Sequence, residues 1–299
     1  MENKNHGVLL GNRETDWGFA GAASQIVYKE ELPSGDWTLY LPEGSSQWFT
    51  NGFDALDCVS ESATNIISAL YHFKTGVKKK FSPRFTAVMS GTTKQGNYLW
   101  KVGDSIRKDG VVEISFWSPI DNPTWDTYYI PPTIEIINKA KEFLKDWEVQ
   151  YEVIDFTRES LLKHIKQSPL QVVIPGHAVM NFLTTDQIYK YFDSYNPWIK
   201  ERSEGFVFAQ KYVLNKITPN FMYSLVKNPL KTSEIYAVLG NTKHHIGTYP
   251  TLENGKRLGK WDFSTVNDIP FADTTAFANM VQGDEMVYLP EQIVFTPHD

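Results

Sequence analysis

Asp54-Ala55-Leu56-Asp57-Cys58-Val59-Ser60-Glu61-Ser62-Ala63-Thr64-Asn65-Ile66-Ile67-Ser68-Ala69-Leu70-Tyr71 is the stretch on which the reading of this chain turns. Val59, Ala63, Ile66, Ile67, Leu70 and Tyr71 recur at helical spacing, and Gly76 stands just beyond the end. Asp54 and Asp57 are natural cap residues ahead of the first turn. The pattern predicts a buried amphipathic helix with Cys58 at its N-terminus. Cys58 is the only cysteine in 299 residues, which excludes an internal disulfide and any multi-cysteine zinc site. A lone cysteine is commonly a small buried hydrophobe. It becomes a nucleophile only as thiolate, a form that helix N-terminal amides and an imidazolium partner both favour.

Outward from that helix, the chain is 41% hydrophobic and 14% aromatic, enough apolar surface to offset the entropy of ordering. Its 29 basic and 35 acidic side chains leave a net charge of -6, evenly spread, so neither nucleic acid nor a membrane surface is an expected partner. The one basic run, Lys78-Lys79-Lys80, reads as a solvated loop. Residues 1–10 lack a long apolar run, and no stretch approaches the roughly eighteen apolar residues that a spanning helix needs. The expectation is cytoplasmic synthesis; a phage product could still act inside a virion or after release.

Residues 1–50 read as loops and short strands around the turns Leu32-Pro33-Ser34-Gly35 and Leu41-Pro42-Glu43-Gly44. Further helices are predicted over 99–108, 133–146 and 159–166, the second opened by Pro131-Pro132 and the third capped by Thr157. Strands are predicted over 149–154, 171–174 and 188–192, with a turn at Pro175-Gly176. Thr218-Pro219 and Asn228-Pro229 bracket a polar stretch, then 235–239 and 287–290 look like short strands. A boundary near residue 230 is expected, giving domains 1–230 and 231–299.

A thiolate nucleophile needs a histidine delivered from elsewhere in the fold. Seven compete: His6 and His298 are terminal, His72 shares the cysteine's helix, His164 is on a helix face, and His244-His245 lie near the C-terminus. His177 opens an apolar strand, Gly176-His177-Ala178-Val179, after a Pro-Gly turn. Taken alone, such a histidine is more often a satisfied core residue.

The order of motifs from about Trp37 to Trp198 resembles the papain family of cysteine peptidases, in a divergent form of the kind encoded by phages and uncultured bacteria. Asp57-Cys58-Val59-Ser60 stands where that family has Cys-Trp-Ala-Phe, and Phe81-Ser82 where it has Leu-Ser. Gly96-Asn97-Tyr98 resembles its Gly-Gly-Tyr loop, and Phe116-Trp117-Ser118-Pro119 falls at its Tyr-Pro-Tyr. Leu161-Leu162 with Ser168-Pro169-Leu170-Gln171-Val172-Val173 precedes His177-Ala178-Val179, similar to the family's catalytic strand.

The resemblance implies an α+β, two-lobed fold, a helical lobe beside an antiparallel β lobe, and peptide-bond hydrolysis without a cofactor or a metal. It implies Cys58 as nucleophile and His177 as base. At the spacing of the family's orienting Asn stands Asp193, in Phe192-Asp193-Ser194-Tyr195, with Asn196 a weaker candidate. A carboxylate there would hold the imidazole Nδ1–H. At the family's oxyanion glutamine the chain has Gly52, so Gln47 is favoured over Asn51. Gly96, Asn97 and Gly176 would line the groove for a peptide or protein substrate. Residues 1–36 show no helical heptads, so no inhibitory propeptide of the usual kind is expected.

The C-terminal residues Ile235-Tyr236-Ala237-Val238, Lys243-His244-His245-Ile246, Pro250-Thr251-Leu252 and Trp261 resemble a small β-rich module of bacterial surface and phage-type proteins. That resemblance implies docking to other particle proteins. His244 and His245 are adjacent on a strand and would point to opposite faces, which argues against a metal. Two other functions stay open: a cell-wall peptide hydrolase, which shares the Cys, His, Asp order, and a virion component with a vestigial site.

Overall fold

The computed structural model describes residues 6–10, 31–216, 224–231, 233–239, 242–246 and 269–272. It also describes positions 274 and 278 and strands over 281–282, 285–289 and 292–296. The chain divides into two compact units, Met1–Ile217 and Thr218–Asp299.

The first unit begins with strand β1 (Val8–Leu9), and a 3-10 turn follows at Thr38–Tyr40. Helix α1 (Cys58–Thr75) is the predicted helix, with Cys58 as its first residue. It is buried on every side from Cys58 to Leu70, rather than on one face. Several of its polar residues tolerate this by bonding backward. Ser62, Thr64 and Ser68 donate to the carbonyls of Cys58, Ser60 and Thr64 at 2.7, 2.8 and 2.8 Å.

Helix α2 (Pro83–Met89) starts with Pro83 in its first turn and Ser82 as cap, accepting from Phe85 N–H at 3.1 Å. Strand β2 (Asn97–Tyr98) leads into α3 (Leu99–Asp109). The short α4 (Trp125–Tyr128) and α5 (Ile134–Asp146) follow, capped by Thr124 and Thr133. Strand β3 (Trp147–Ile154) runs into α6 (Arg158–His164), capped by Thr157 as expected. Then come β4 (Leu170–Ile174), β5 (His177–Thr184), β6 (Tyr189–Phe192), β7 (Ile199–Arg202) and β8 (Phe208–Lys216).

Strands β3 to β8 form one six-stranded antiparallel sheet, ordered β3-β8-β4-β5-β6-β7. Helix α1 lies against β4, β5 and β8 on one side and against α2 and α3 on the other. This is the expected α+β, two-lobed arrangement, and it sets the first turn of α1 against the first residues of β5. Gln171 of β4 locks the two together, donating to Val59 O at 2.8 Å and to Ser62 Oγ at 2.9 Å. Among the described residues no helix is long and apolar enough to cross a membrane.

In the second unit, β9 (Ser224–Lys227), β10 (Ile235–Leu239), β11 (Thr242–His245) and β12 (Val281–Gln282) form a sheet ordered β12-β11-β10-β9. Strands β13 (Glu285–Leu289) and β14 (Gln292–Thr296) make a hairpin. The boundary expected near residue 230 therefore falls inside the second unit, after its first strand. His244 and His245 sit on β11 opposite Ala237 and Tyr236. Residues 218–219, 250–252, 261 and 298 lie outside the described residues.

The Lys78-Lys79-Lys80 run is less free than a solvated loop. Lys79 pairs with Glu113, and Lys80 Nζ donates to Glu43 O at 2.6 Å.

Candidate active site

The first turn of α1, the start of β5 and the segment after β6 bring Cys58, His177 and Asp193 into one buried cluster. They are 0%, 4% and 3% exposed. The N–H of Ala178, next to His177 in sequence, donates to Cys58 Sγ at 3.4 Å. His177 Nε2 lies 2.8 Å from Asp193 Oδ1. A carboxylate only accepts, so Nε2 carries the hydrogen and the Nδ1 lone pair of the neutral ring is free. Among the described residues Nδ1 has no hydrogen-bond partner. This corrects the expectation that the carboxylate would take Nδ1–H.

Asp193 is held from three directions. Oδ1 also accepts from Tyr195 N–H at 3.0 Å, and Oδ2 accepts from Lys200 Nζ at 2.9 Å. Burial alone would raise its pKa, but the bonds from His177 and Lys200 outweigh this and hold the carboxyl below its ordinary range. Lys200 was not anticipated. It comes from β7, opposite Tyr191, so no local spacing marks it. The signal available was chemical: a buried carboxylate in place of a neutral amide calls for a counter-charge. Asn196 is exposed in the turn beyond.

Gln47 is fully buried. Its Oε1 accepts from Ser194 Oγ at 2.7 Å, and its Nε2 faces three oxygens: His6 O at 3.1 Å, Asp54 Oδ1 at 2.9 Å and Tyr195 OH at 2.7 Å. The Tyr195 hydroxyl donates to Asp54 Oδ2 at 2.7 Å. Asp54 and Tyr195 thus fix the direction of the Gln47 amide. Asn51 instead ties its loop to a remote one, donating to Pro123 O at 2.8 Å and accepting from Phe53 N–H at 3.1 Å.

Two expectations about the electrostatics fail. Asp57 occupies the cap position of α1 but makes no side-chain cap bond. Its Oδ2 accepts from Tyr128 OH at 2.6 Å and its Oδ1 is buried without a partner. Burial raises its pKa to about 7, and the neighbouring Glu61 on α1 rises to about 8 for the same reason. The Cys58 thiol is pushed well up by its own burial, with Asp57, Asp54 and Asp193 adding to the shift against the Ala178 N–H. Burial thus works against the thiolate that the helix position favours.

The residues expected to line the groove are also bonded within the chain. Gly176 O accepts from His6 N–H at 2.7 Å, and Asn97 N–H donates to Gly7 O at 2.9 Å. Strands β1 and β2 pair in parallel, Val8 opposite Asn97 and Leu9 opposite Tyr98. His6, set aside in the sequence as terminal, has its ring edge-on to that of His177 with centroids 5.5 Å apart.

No family model and no curated protein sequence matches the chain. Solved structures to which it is similar are papain-like cysteine proteases. One is the proform of the ragweed pollen allergen Amb a 11, at 13% identity over 64% of this chain and 69% of that one, TM-score 0.45. Another is digestive procathepsin L 3 of the Tenebrio molitor larval midgut, at 10% identity over 70% and 76%, TM-score 0.46. A third is xylellain from Xylella fastidiosa, at 13% identity over 64% and 100%, TM-score 0.44.

Proposed function

We propose that this protein is a cysteine peptidase that hydrolyses peptide bonds through Cys58, His177, Asp193 and Gln47. The observation that carries the reading is the His177–Asp193 pair set next to Cys58 in the buried cluster. Asp193 fixes Nε2–H of His177 at 2.8 Å, and the opposite nitrogen is left unpaired beside the strand residue whose amide meets Cys58 Sγ.

In the reaction, Nδ1 of His177 takes the Sγ proton and the thiolate attacks the peptide carbonyl carbon. The carbonyl oxygen becomes an oxyanion that Gln47 Nε2 and the Cys58 backbone N–H stabilise. His177 then returns the proton to the leaving amine, forming a thioester. The same ring takes a proton from water, whose oxygen displaces Sγ and releases the carboxylic acid. Asp193 holds the ring in the required tautomer throughout.

The departure from the family's asparagine has a physical reading. Asp193 and Lys200 together present the ring with a near-neutral hydrogen-bond acceptor, much as an amide oxygen would.

Cleavage of a peptide library by purified protein tests the proposal, with Cys58→Ala and His177→Ala beside it and a cell-wall zymogram run in parallel. Cleavage of peptides that both substitutions abolish is the expected result. Clearing of cell wall without peptide cleavage would select the cell-wall hydrolase instead. The complete burial of Cys58 favours a non-catalytic binding protein as second reading; cleavage indifferent to both substitutions, or none at all, would leave that one standing.

A further inference from the structure

Two carboxyl groups with no part in the proposed hydrolysis are buried at the start of α1. Asp57 stands directly before Cys58, with Glu61 one turn further on, and they are 0% and 2% exposed. Their hydrogen bonds fall short of what two carboxylates need. Asp57 Oδ2 accepts from Tyr128 OH at 2.6 Å, while its Oδ1 is buried without a partner. Glu61 Oε2 accepts from Ser45 Oγ at 2.7 Å. Both donors are neutral hydroxyls.

The charges around the pair do not neutralise it. Lys80 is the cation whose field reaches Glu61, but its Nζ donates to Glu43 O at 2.6 Å. His177 and Lys200 are both bonded to Asp193. Asp54 adds a like charge to Asp57, and His6 Nδ1 lies 3.9 Å from the Asp54 Oδ2. Tyr129 and Tyr195, which also face Asp57, are held as neutral phenols by burial. Burial therefore acts almost unopposed. Together with the charge of Asp54 on one and of Asp57 on the other, it raises Asp57 to about 7 and Glu61 to about 8. Cys58 feels the outcome, because the Asp57 charge is among those that oppose its thiolate.

We propose that the proton on Asp57 switches the nucleophile: with that carboxyl neutral Cys58 can pass its Sγ proton to His177, and with it ionised the thiolate is opposed. Glu61 sets where the switch lies, since two interacting carboxyls each hold a proton to higher pH than either would alone. The Asp57 proton leaves to water, and no other bond changes. The site is thus suited to acid and neutral solution and suppressed in mild alkali. This rests on the reading of Cys58 as the reacting group.

The test uses the full chain and the rate at which iodoacetamide alkylates Cys58, read by intact mass from about pH 5.5 to 8.5. Each protein is compared with its own rate at the acid end, so that a variant that simply opens more often gains nothing. Asp57→Asn removes one buried charge beside the thiolate. It should raise the ratio of the alkaline rate to the acid rate by about tenfold over wild type. Glu61→Gln should act in the opposite sense near neutrality, lowering the ratio of the rate at about pH 7 to the acid rate, because Asp57 then ionises earlier. A merely structural role would move both variants the same way.

Should neither variant fold, the wild-type chain decides by itself. Carbon-13 NMR of its carboxyl carbons should show Asp57 and Glu61 titrating above about pH 6, and titration of both in the ordinary range of about pH 4 would overturn the proposal. So would equal ratios in wild type and Asp57→Asn. Alkylation requires no turnover. A protein with the predicted ratios that cleaves no peptide would sink the peptidase reading and leave this one intact, and cleavage with unaltered ratios would do the reverse.

Discussion

The Asp193–Lys200 pair offers a quantitative test of how the histidine is held. Asp193 is 4% and Lys200 28% exposed at the side chain, with Nζ 2.9 Å from Oδ2. An exposed ion pair contributes about 0–1 kcal/mol, whereas stripping one partner from a fully buried pair costs roughly 3–5 kcal/mol. With one end buried and the other in reach of water, about 2 kcal/mol of coupling is the intermediate value expected from these limits. Asp193→Asn keeps an acceptor for His177 Nε2 and Tyr195 N–H but turns an NH2 toward the Lys200 ammonium. Lys200→Met leaves the carboxylate buried with less compensation. Each alone should lower stability, and the double variant should cost less than their sum by that coupling. Urea unfolding followed by tryptophan fluorescence reads the effect, because all of the nine tryptophans except Trp261 belong to the first unit. Additivity of the two substitutions within about 0.5 kcal/mol would refute the reasoning.

Gln47→Ala removes the side-chain donor for the oxyanion, and kcat should fall by about 10²–10³-fold with little change in KM; a change confined to KM would show that Gln47 only binds substrate. Asp57→Asn should stabilise the protein at pH 8 and make progressively less difference toward pH 4. The sign follows from the carboxyl's folded-state pKa of about 7, above its ordinary 3.8. The folded protein holds that proton more tightly, so the carboxylate's penalty is absent in acid, grows as pH rises from 4 to 7 and then stays. Thermal melts at several pH values check this, and a destabilisation at pH 8 would contradict it. Ser82→Ala should cost about 1 kcal/mol through the lost cap on α2, a loss that an unchanged urea midpoint would rule out.

The elements legible in the sequence were those with local signatures. The apolar spacing from Val59 to Tyr71 placed α1, and Pro131-Pro132 and Thr157 marked helix starts where the structure has them. The family resemblance pointed to the carboxylate that lies 2.8 Å from the His177 ring. What escaped depends on approach in space. Helix α1 is buried all round because the sheet and the α2 and α3 helices close on it from both sides, and its serines and threonines could look solvent-facing only in one dimension. Lys200 reaches Asp193 through the pairing of β6 with β7, and Tyr195 joins Gln47 and Asp54, which also bond directly. Asp57 reads as a cap by type, but Tyr128 draws its carboxylate inward. Residues 6–9 carry no helical repeat that would mark an inhibitory segment, yet they pair with Asn97–Tyr98 as a strand.

The account stands or falls on whether His177 activates Cys58. The direct measurement is the rate of Cys58 alkylation by iodoacetamide from about pH 5 to 9, with His177 present and with His177→Ala. The account predicts that with His177 the thiol reacts well below the ordinary thiol range of about pH 8.5, and that His177→Ala moves reactivity up to that range or beyond. Profiles that superimpose with and without His177 would contradict it.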